Sequence, residues 1–303
     1  MKSFNKWRNQ CVSNKVFDVI NIIAMTFVLL VCFYPLYYIL ILSFSDEVVG
    51  TYIWPEQINL TGYKLIFAES TVYIGYANTI FYTVVGVVCS LAVTLPCAYS
   101  LSRKDFKGRG PIMGFLMVTM FISGGLVPGY LNVYNLGLLD TRWIIIILGL
   151  TSTYNIIISR TFFQSTIPGE LLDAAKIDGC GNGRFFFGIV LPLSKPIMAV
   201  MALYFGVGRW NSYFTEMVYL RDESKYPLAL FLRRLLWEMS AIETMMEKGE
   251  ISLDAIGKAE EMIQTATIMQ YCLIVVSTIP MLIIYPYLQK YFAKGVMIGS
   301  VKG

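Results

Sequence analysis

Residues 170–196, ELLDAAKIDGCGNGRFFFGIVLPLSKP, form a polar, glycine-broken stretch between two long apolar runs. Its internal spacing is D-A-A-x3-G-x9-I-x-L-P, with Asp173, Ala174 and Ala175 first, then Gly179, Ile189, Leu191 and Pro192. From Pro168 and Gly169 onward the pattern predicts a helix with Glu170 in its first turn, where a carboxylate meets the positive end of the helix dipole. Leu171, Ala174, Ala175 and Asp178 fall on neighbouring helical rows. Gly179 is placed to end that helix, because the residue leaving a helix often needs positive φ. A second apolar stretch runs from Arg184 to Leu191 and reaches Pro192 at the entry to the next apolar run. Small alanines permit close approach of another protein, and the carboxylates Asp173 and Asp178 suit a basic groove. An ordinary interfacial loop is the plainer reading of the same composition.

The surrounding chain explains why a polar break matters. Of 303 residues 56% are hydrophobic and 15% charged, with mean hydropathy +0.61. Soluble domains carry roughly 25% charged residues. Six apolar runs, at about 17–42, 76–100, 111–131, 141–159, 190–216 and 268–292, are long enough for a hydrocarbon core of ~30 Å. Backbone groups in lipid must be satisfied within their own segment, so each run is expected to be a helix. The expected fold class is therefore an all-α integral membrane protein with six transmembrane helices. The first run is too long for a signal-peptide core and lacks a small-x-small cleavage site behind it, so it is expected to be retained.

Charge sets the expected orientation. The N-terminus, the 102–110 loop, the 160–189 segment and the C-terminus together hold more than half of the 24 Lys and Arg. The 43–75 loop has Lys64 against Asp46, Glu47, Glu56 and Glu69, and the 221–267 loop is rich in Glu. The positive-inside rule places the first set, with both termini, in the cytoplasm of a multi-pass protein. Net charge of +4 is modest, and no nucleic-acid partner is expected; membrane lipid is.

Several chemistries drop out. With no His there is no His-based metal site or general base. The six Cys form no C-x-x-C pair and read as small buried thiols. No G-x-x-x-x-G-K-[ST] occurs, so no nucleotide loop, cofactor or metal is expected in this chain. A secondary transporter would show repeat-related broken helices and mid-membrane acids. A membrane enzyme would need a catalytic constellation, and none is evident. Asn155, Trp210, Asn211 and Tyr213 are candidates for a substrate path, since polar and aromatic groups inside spans are rare. Such residues also glue helices together. In the 221–267 loop, Tyr226, Arg233, Arg234 and Trp237 suit either an external partner or a solvated cap.

The 170–196 stretch resembles the "EAA" loop of permease subunits of type I ABC importers, with Asp173 where Glu is usual. Residues 123–128 (SGGLVP), Trp210-Asn211, Tyr226-Pro227-Leu228 and the 294–303 tail resemble the LplC-like branch of the maltose-transporter inner-subunit family. The resemblance implies a type I ABC importer permease fold. It divides the chain into a cytoplasmic 1–16, a first helix 17–42, an ABC transmembrane type-1 domain 76–292 holding helices two to six, and a cytoplasmic tail 293–303. Within that domain lie the coupling loop 165–195 and the external loop 221–267. It also implies a second permease subunit, two separate ATPase subunits carrying ATP and Mg, and an external solute-binding protein that delivers a sugar or oligosaccharide. A peptide or polyamine is the alternative cargo. By the same resemblance Glu170, Asp173, Ala174, Ala175, Asp178, Gly179, Ile189, Leu191 and Pro192 seat the loop on an ATPase. Gly299, Lys302 and Gly303 then reach the ATPase dimer interface. Asp is one methylene shorter than Glu, which shortens the reach of an ion pair at Asp173.

Overall fold

The structure, a computed structural model, describes residues 12–45, 58–249 and 253–299, and the side chains of 15–45, 58–249 and 255–287. No strand occurs among the described residues. Three helices are long and apolar enough to cross a membrane unbroken, and three bent pairs pass the same test, giving six if each pair is one span. The chain divides into two compact units, 1–68 with 238–276, and 69–237 with 277–303.

In the first unit, α1 (Val12–Leu42) is apolar on every side, and its most apolar stretch is not buried by protein. A helix with no polar face and no packed face is suited to hydrocarbon. Its C-terminal end is tied down locally. The Tyr63 hydroxyl of α2 (Thr61–Ala68) donates to Ser43 Oγ at 2.8 Å, and Cys272 Sγ lies 3.2 Å from the Ser43 carbonyl oxygen. Gly62 sits so close to Ile268 and Cys272 that a Cβ there would lie 2.6 and 2.7 Å from their side chains.

The second unit is organised by α3 (Ser70–Ser102), a 33-residue helix. Its buried stripe is small or polar: Gly75, Thr79, Tyr82, Gly86, Ser90, Thr94 and Ala98. Apolar attraction does not distinguish a helix from lipid, so membrane helices pack through small residues and hydrogen bonds. Against that stripe lie α7 (Thr153–Thr166) and α10 (Lys195–Trp210).

The remaining spans depart from single helices. The run expected at 111–131 is α4 (Arg109–Phe121) and α5 (Leu126–Asn135), bent by 115°. The bend falls at Ser123-Gly124-Gly125, where Gly125 has φ +82° and donates its N–H to Ser123 Oγ. A residue with a Cβ resists that conformation, so the glycine pair decides the break. Next, α6 (Arg142–Leu148) and α7 meet at 53°, and α9 (Asn182–Leu193) meets α10 at 81°. After α11 (Phe214–Tyr219) and a short 3₁₀ turn (Glu223–Lys225), α12 (Leu228–Glu247) and α13 (Leu253–Gly299) complete the chain. The 221–267 segment is thus largely helical. Its Arg233 lies over the rings of Tyr213 and Trp237, and Arg234 pairs with Glu223 and covers Tyr226.

Tyr226-Pro227-Leu228 forms a strap over α3. Asn78 Nδ2 donates to the Ser224 and Tyr226 carbonyls, Tyr82 to Lys225, and the Leu228 N–H to Thr79 Oγ1. The strap's other anchor is Asp140, at φ +57°. Its Oδ1 accepts the backbone N–H groups of Arg221 and Asp222 at 3.0 and 3.1 Å, and its Oδ2 pairs with Lys225 at 2.9 Å. Partial burial opposes ionisation of Asp140, but those backbone donors and Lys225 outweigh it and hold the carboxyl below its usual range. Its contribution to stability is therefore complete above the ordinary carboxylate pKa and fades as pH falls through the folded value. Asp140→Ala should destabilise the protein by about 1–3 kcal/mol, because two N–H groups lose their acceptor. Asp140→Asn should keep most of that stability but lose this carboxylate's share of the acid sensitivity. Thermal unfolding in detergent at pH 3–7 checks both.

Candidate coupling loop and intramembrane arginine

The decisive stretch folds as two short helices joined by a tight turn. The first, α8 (Gly169–Ile177), follows an extended Pro168 and carries Glu170 in its first turn and Lys176 in its last, both matched to the helix dipole. It ends in a Schellman turn. Gly179 has φ +70°, the Cys180 N–H donates to the Ala175 carbonyl at 2.8 Å, and the Gly179 N–H donates to that of Lys176 at 3.1 Å. That turn requires the left-handed backbone glycine adopts without cost.

The second helix, α9, contains a π turn over Phe186–Val190 before Leu191-Pro192-Leu193. Proline has no N–H to give and crowds the preceding turn, and a widened turn accommodates it. Pro196 falls at the second position of α10, where the missing N–H costs little.

One face of this unit is welded to the rest of the chain. Ala175, Phe185, Phe186 and Val190 are buried with Leu95, Tyr99 and Leu101 of α3 and Phe163 of α7. Ile189 and Leu191 pack on the same cluster while partly buried. Polar ties reinforce it. Arg103 pairs with Asp105 and donates from Nη1 to Asn182 Oδ1 at 2.6 Å, and Lys176 Nζ lies 3.6 Å from Asp105. The hydrogen-bonded Arg103 guanidinium holds the Asp105 carboxyl well below the usual carboxylate range. Arg160 Nε donates to the Leu101 carbonyl, meeting an end group of α3.

The opposite face is open. Glu170, Asp173, Ala174 and Ile177 are exposed at i, i+3, i+4 and i+7, one continuous helical stripe. Asp178, Gly179 and Pro192 are exposed beside it. The two alanines therefore separate: Ala174 is on the outer face, and Ala175 is spent on the chain's own core. Ile177, 87% exposed, was not among the expected docking residues. Its spacing from Glu170 is the signal that finds it. Gly299 is the last residue of α13, while Lys302 and Gly303 lie outside the described residues.

The candidate substrate-path residues do not converge. Trp210 is buried, with its indole N–H donating to the Ser277 carbonyl at 3.0 Å and its ring edge-on to Tyr76. Asn211 caps α10 and bonds back to Val207, and Tyr213 lies under Arg233. Asn155 is buried on α7. A residue outside that set, Arg209, holds the fourth span together. Its guanidinium donates to the carbonyls of Ile145 and Ile146 at 3.3 and 3.1 Å and to Ser90 Oγ at 3.2 Å. Those carbonyls end α6, where the break before α7 leaves them without helical partners. Gly86 and Gly149 leave the space it fills: a Cβ on Gly86 would collide with the guanidinium, and one on Gly149 would lie 3.1 Å from it.

This architecture has known counterparts. Residues 70–220 match the family described as binding-protein-dependent transport system inner membrane component. The chain is 38% identical over 297 residues to the polygalacturonan/rhamnogalacturonan transport system permease protein YtcP of Bacillus subtilis, covering 96% of this chain and 100% of that one. It is 39% identical over 297 residues to Protein LplC of the same organism, covering 96% of each. A solved bacterial ABC transporter involved in import of the acidic polysaccharide alginate contains a chain with TM-score 0.80 and 32% identity, covering 93% of this chain and 99% of that one. The chain belongs to this family of transport-system inner membrane components. It is a permease subunit of type I fold and not an enzyme, and as a binding-protein-dependent component it works with other subunits of a transport system.

The split between the alanines is testable in the permease. Ala175→Trp overfills a packed core and should destabilise it by about 1–3 kcal/mol, read as a lower unfolding temperature in detergent. Ala174→Trp points outward and should leave that temperature unchanged.

Proposed function

We propose that this permease is the membrane-spanning subunit of an ATP-driven importer that translocates a sugar or oligosaccharide delivered by an external binding protein. It pairs with a second, homologous permease in the cytoplasmic membrane, with both termini inside the cell. Two separate ATPase subunits bind ATP and Mg, and this chain receives their motion through α8. The observation that carries the reading is the two-faced coupling unit: an exposed Glu170/Asp173/Ala174/Ile177 stripe on a helix whose reverse face is locked to α3 and α7. A seated rigid helix passes a displacement to the spans it is packed on, and a flexible loop does not. ATPase state can bias the permease between conformations only through such differential contacts.

Cargo class is supported by the relatives. Their names specify polygalacturonan or rhamnogalacturonan and arabinooligosaccharides, and the solved transporter imports alginate. These favour a sugar over a peptide or polyamine. Topology is supported by the basic residues concentrated on the side that carries α8. Of the docking residues, Asp173 meets a basic groove residue, Ala174 allows close approach, and Gly299, Lys302 and Gly303 of the tail reach the ATPase dimer. The buried Ala175, Ile189 and Leu191 serve the docking by fixing the helix that presents it.

The test is reconstitution of the complete importer in proteoliposomes with its binding protein. Loaded binding protein should stimulate ATP hydrolysis with sugars and drive uptake. Ala174→Trp and Gly179→Pro should each lower ATP-driven uptake roughly tenfold or more, as loss of a central interface contact does. The permease should still insert and pair. Normal uptake by both variants would refute coupling through α8. Stimulation by a non-sugar solute and by no sugar would refute the cargo class.

A further inference from the structure

Arg209 and Glu216 share an open cavity of about 290 Å³ that none of the coupling contacts uses. Its floor is Tyr82, Asn155, Phe205 and Glu216, all buried, and its rim includes the exposed Thr151 and Tyr204. The volume is at the low end of ligand pockets, which run roughly 300–1,000 Å³, so it holds one sugar ring and not a longer chain. Depth can be read from α3. Ser90, which Arg209 contacts, lies about 18 Å along the helix from its Ser102 end, near the middle of a ~30 Å hydrocarbon layer.

The floor carries unspent polar capacity. Glu216 is 2% exposed; its Oε2 accepts from Ser212 at 2.8 Å, and it has no ion pair among the described residues. Arg209 uses both terminal nitrogens on α6 and Ser90, while its Nε is buried without a hydrogen-bond partner. Ionisable side chains on a membrane cavity without an ion-pair partner among the described residues are costly unless a function retains them. The lining supplies what a pyranose needs: a carboxyl group to accept from hydroxyls, an amide to donate, and aromatic rings beside them.

We propose that this cavity is a sugar-binding subsite carried by this chain, taking one ring of the transported oligosaccharide. Glu216 accepts from vicinal hydroxyls, and Asn155 donates to ring or carboxylate oxygens. The inference rests on the reading of the cargo as a sugar. It moves the substrate path away from Trp210, Asn211 and Tyr213, whose polar groups or rings are already engaged.

Gly208 allows a direct test. It lines the cavity, and a Cβ added there meets nothing within 4 Å, so Gly208→Leu fills the space without displacing backbone. Glu216→Gln keeps shape while removing charge. The complete importer would be assayed with trigalacturonate and with maltotriose, measuring uptake and ATP hydrolysis together. Both variants should cut uptake of the transported sugar roughly tenfold or more, as loss of designed hydrogen-bond partners does. ATP hydrolysis stimulated by loaded binding protein should stay within about twofold, because α8 and its contacts are untouched. Selective loss with trigalacturonate would place a uronate ring in the cavity; equal loss with both sugars would place a ring held through its hydroxyls alone. Wild-type uptake in both variants would overturn the subsite. So would parallel loss of ATPase stimulation, which would make the cavity part of coupling. If wild-type importer took up neither sugar but did carry another solute, the cargo reading itself would fall.

Discussion

A helix that breaks inside hydrocarbon exposes carbonyl groups to a solvent that cannot bond them, and this permease breaks three of its spans. The fourth span shows how the cost is met. Arg209, from α10, reaches across to the free carbonyls at the end of α6 and to Ser90 on α3. A cation at a helix C-terminus is favoured by the dipole as well as by the hydrogen bonds. Three helices are thereby joined at one side chain, in space that a Cβ on Gly86 would occupy and one on Gly149 would crowd. Remove the guanidinium, and α6 ends in the membrane with unmet carbonyls while α3 keeps a groove with nothing in it.

The 169–193 unit obeys the same rule. Its turn is closed by Gly179 and its proline is absorbed by a π turn. What remains free is side-chain chemistry. The acids and Ile177 face outward because Leu172, Ala175 and the Phe185-Phe186 pair take the inner face against Tyr99 and Phe163. Burying one alanine and exposing its neighbour is the geometric outcome of a helix packed on one side.

Much of this was legible in the sequence. Apolar runs set the all-α membrane class, and the 170–196 spacing set a helix, a glycine exit and a second helix. The breaks were less legible. Ser123-Gly124-Gly125 looked like the interior of a span, since hydropathy averages over a glycine pair that the backbone does not ignore. Arg209 was visible as an intramembrane charge, but its partners are carbonyls, and backbone groups leave no mark in a residue pattern. The same blindness misplaced attention on Trp210: an indole beside an asparagine suits a sugar, yet its N–H is committed to the Ser277 carbonyl. Ala175 and Ala174 cannot be ranked from a motif that contains both, because burial depends on Tyr99 and Phe163, far away in the chain.

The helix α3 is common to everything functional here. Near its Ser102 end it bears the 169–193 unit through Tyr99, Leu101 and the Arg103–Asn182 bond. Midway it holds Arg209 at Ser90 and Gly86, and further along it carries the 224–228 strap on Asn78, Thr79 and Tyr82. Tyr82 also forms part of the cavity floor. These attachments all lie on one continuous helix of 33 residues, with Pro96 between the Ser102 end and Ser90. A displacement of the 169–193 unit would reach the arginine and the cavity through the same helix that carries the strap. Its small buried residues, Gly75, Thr79, Gly86, Ser90, Thr94 and Ala98, are what let α7 and α10 approach it closely.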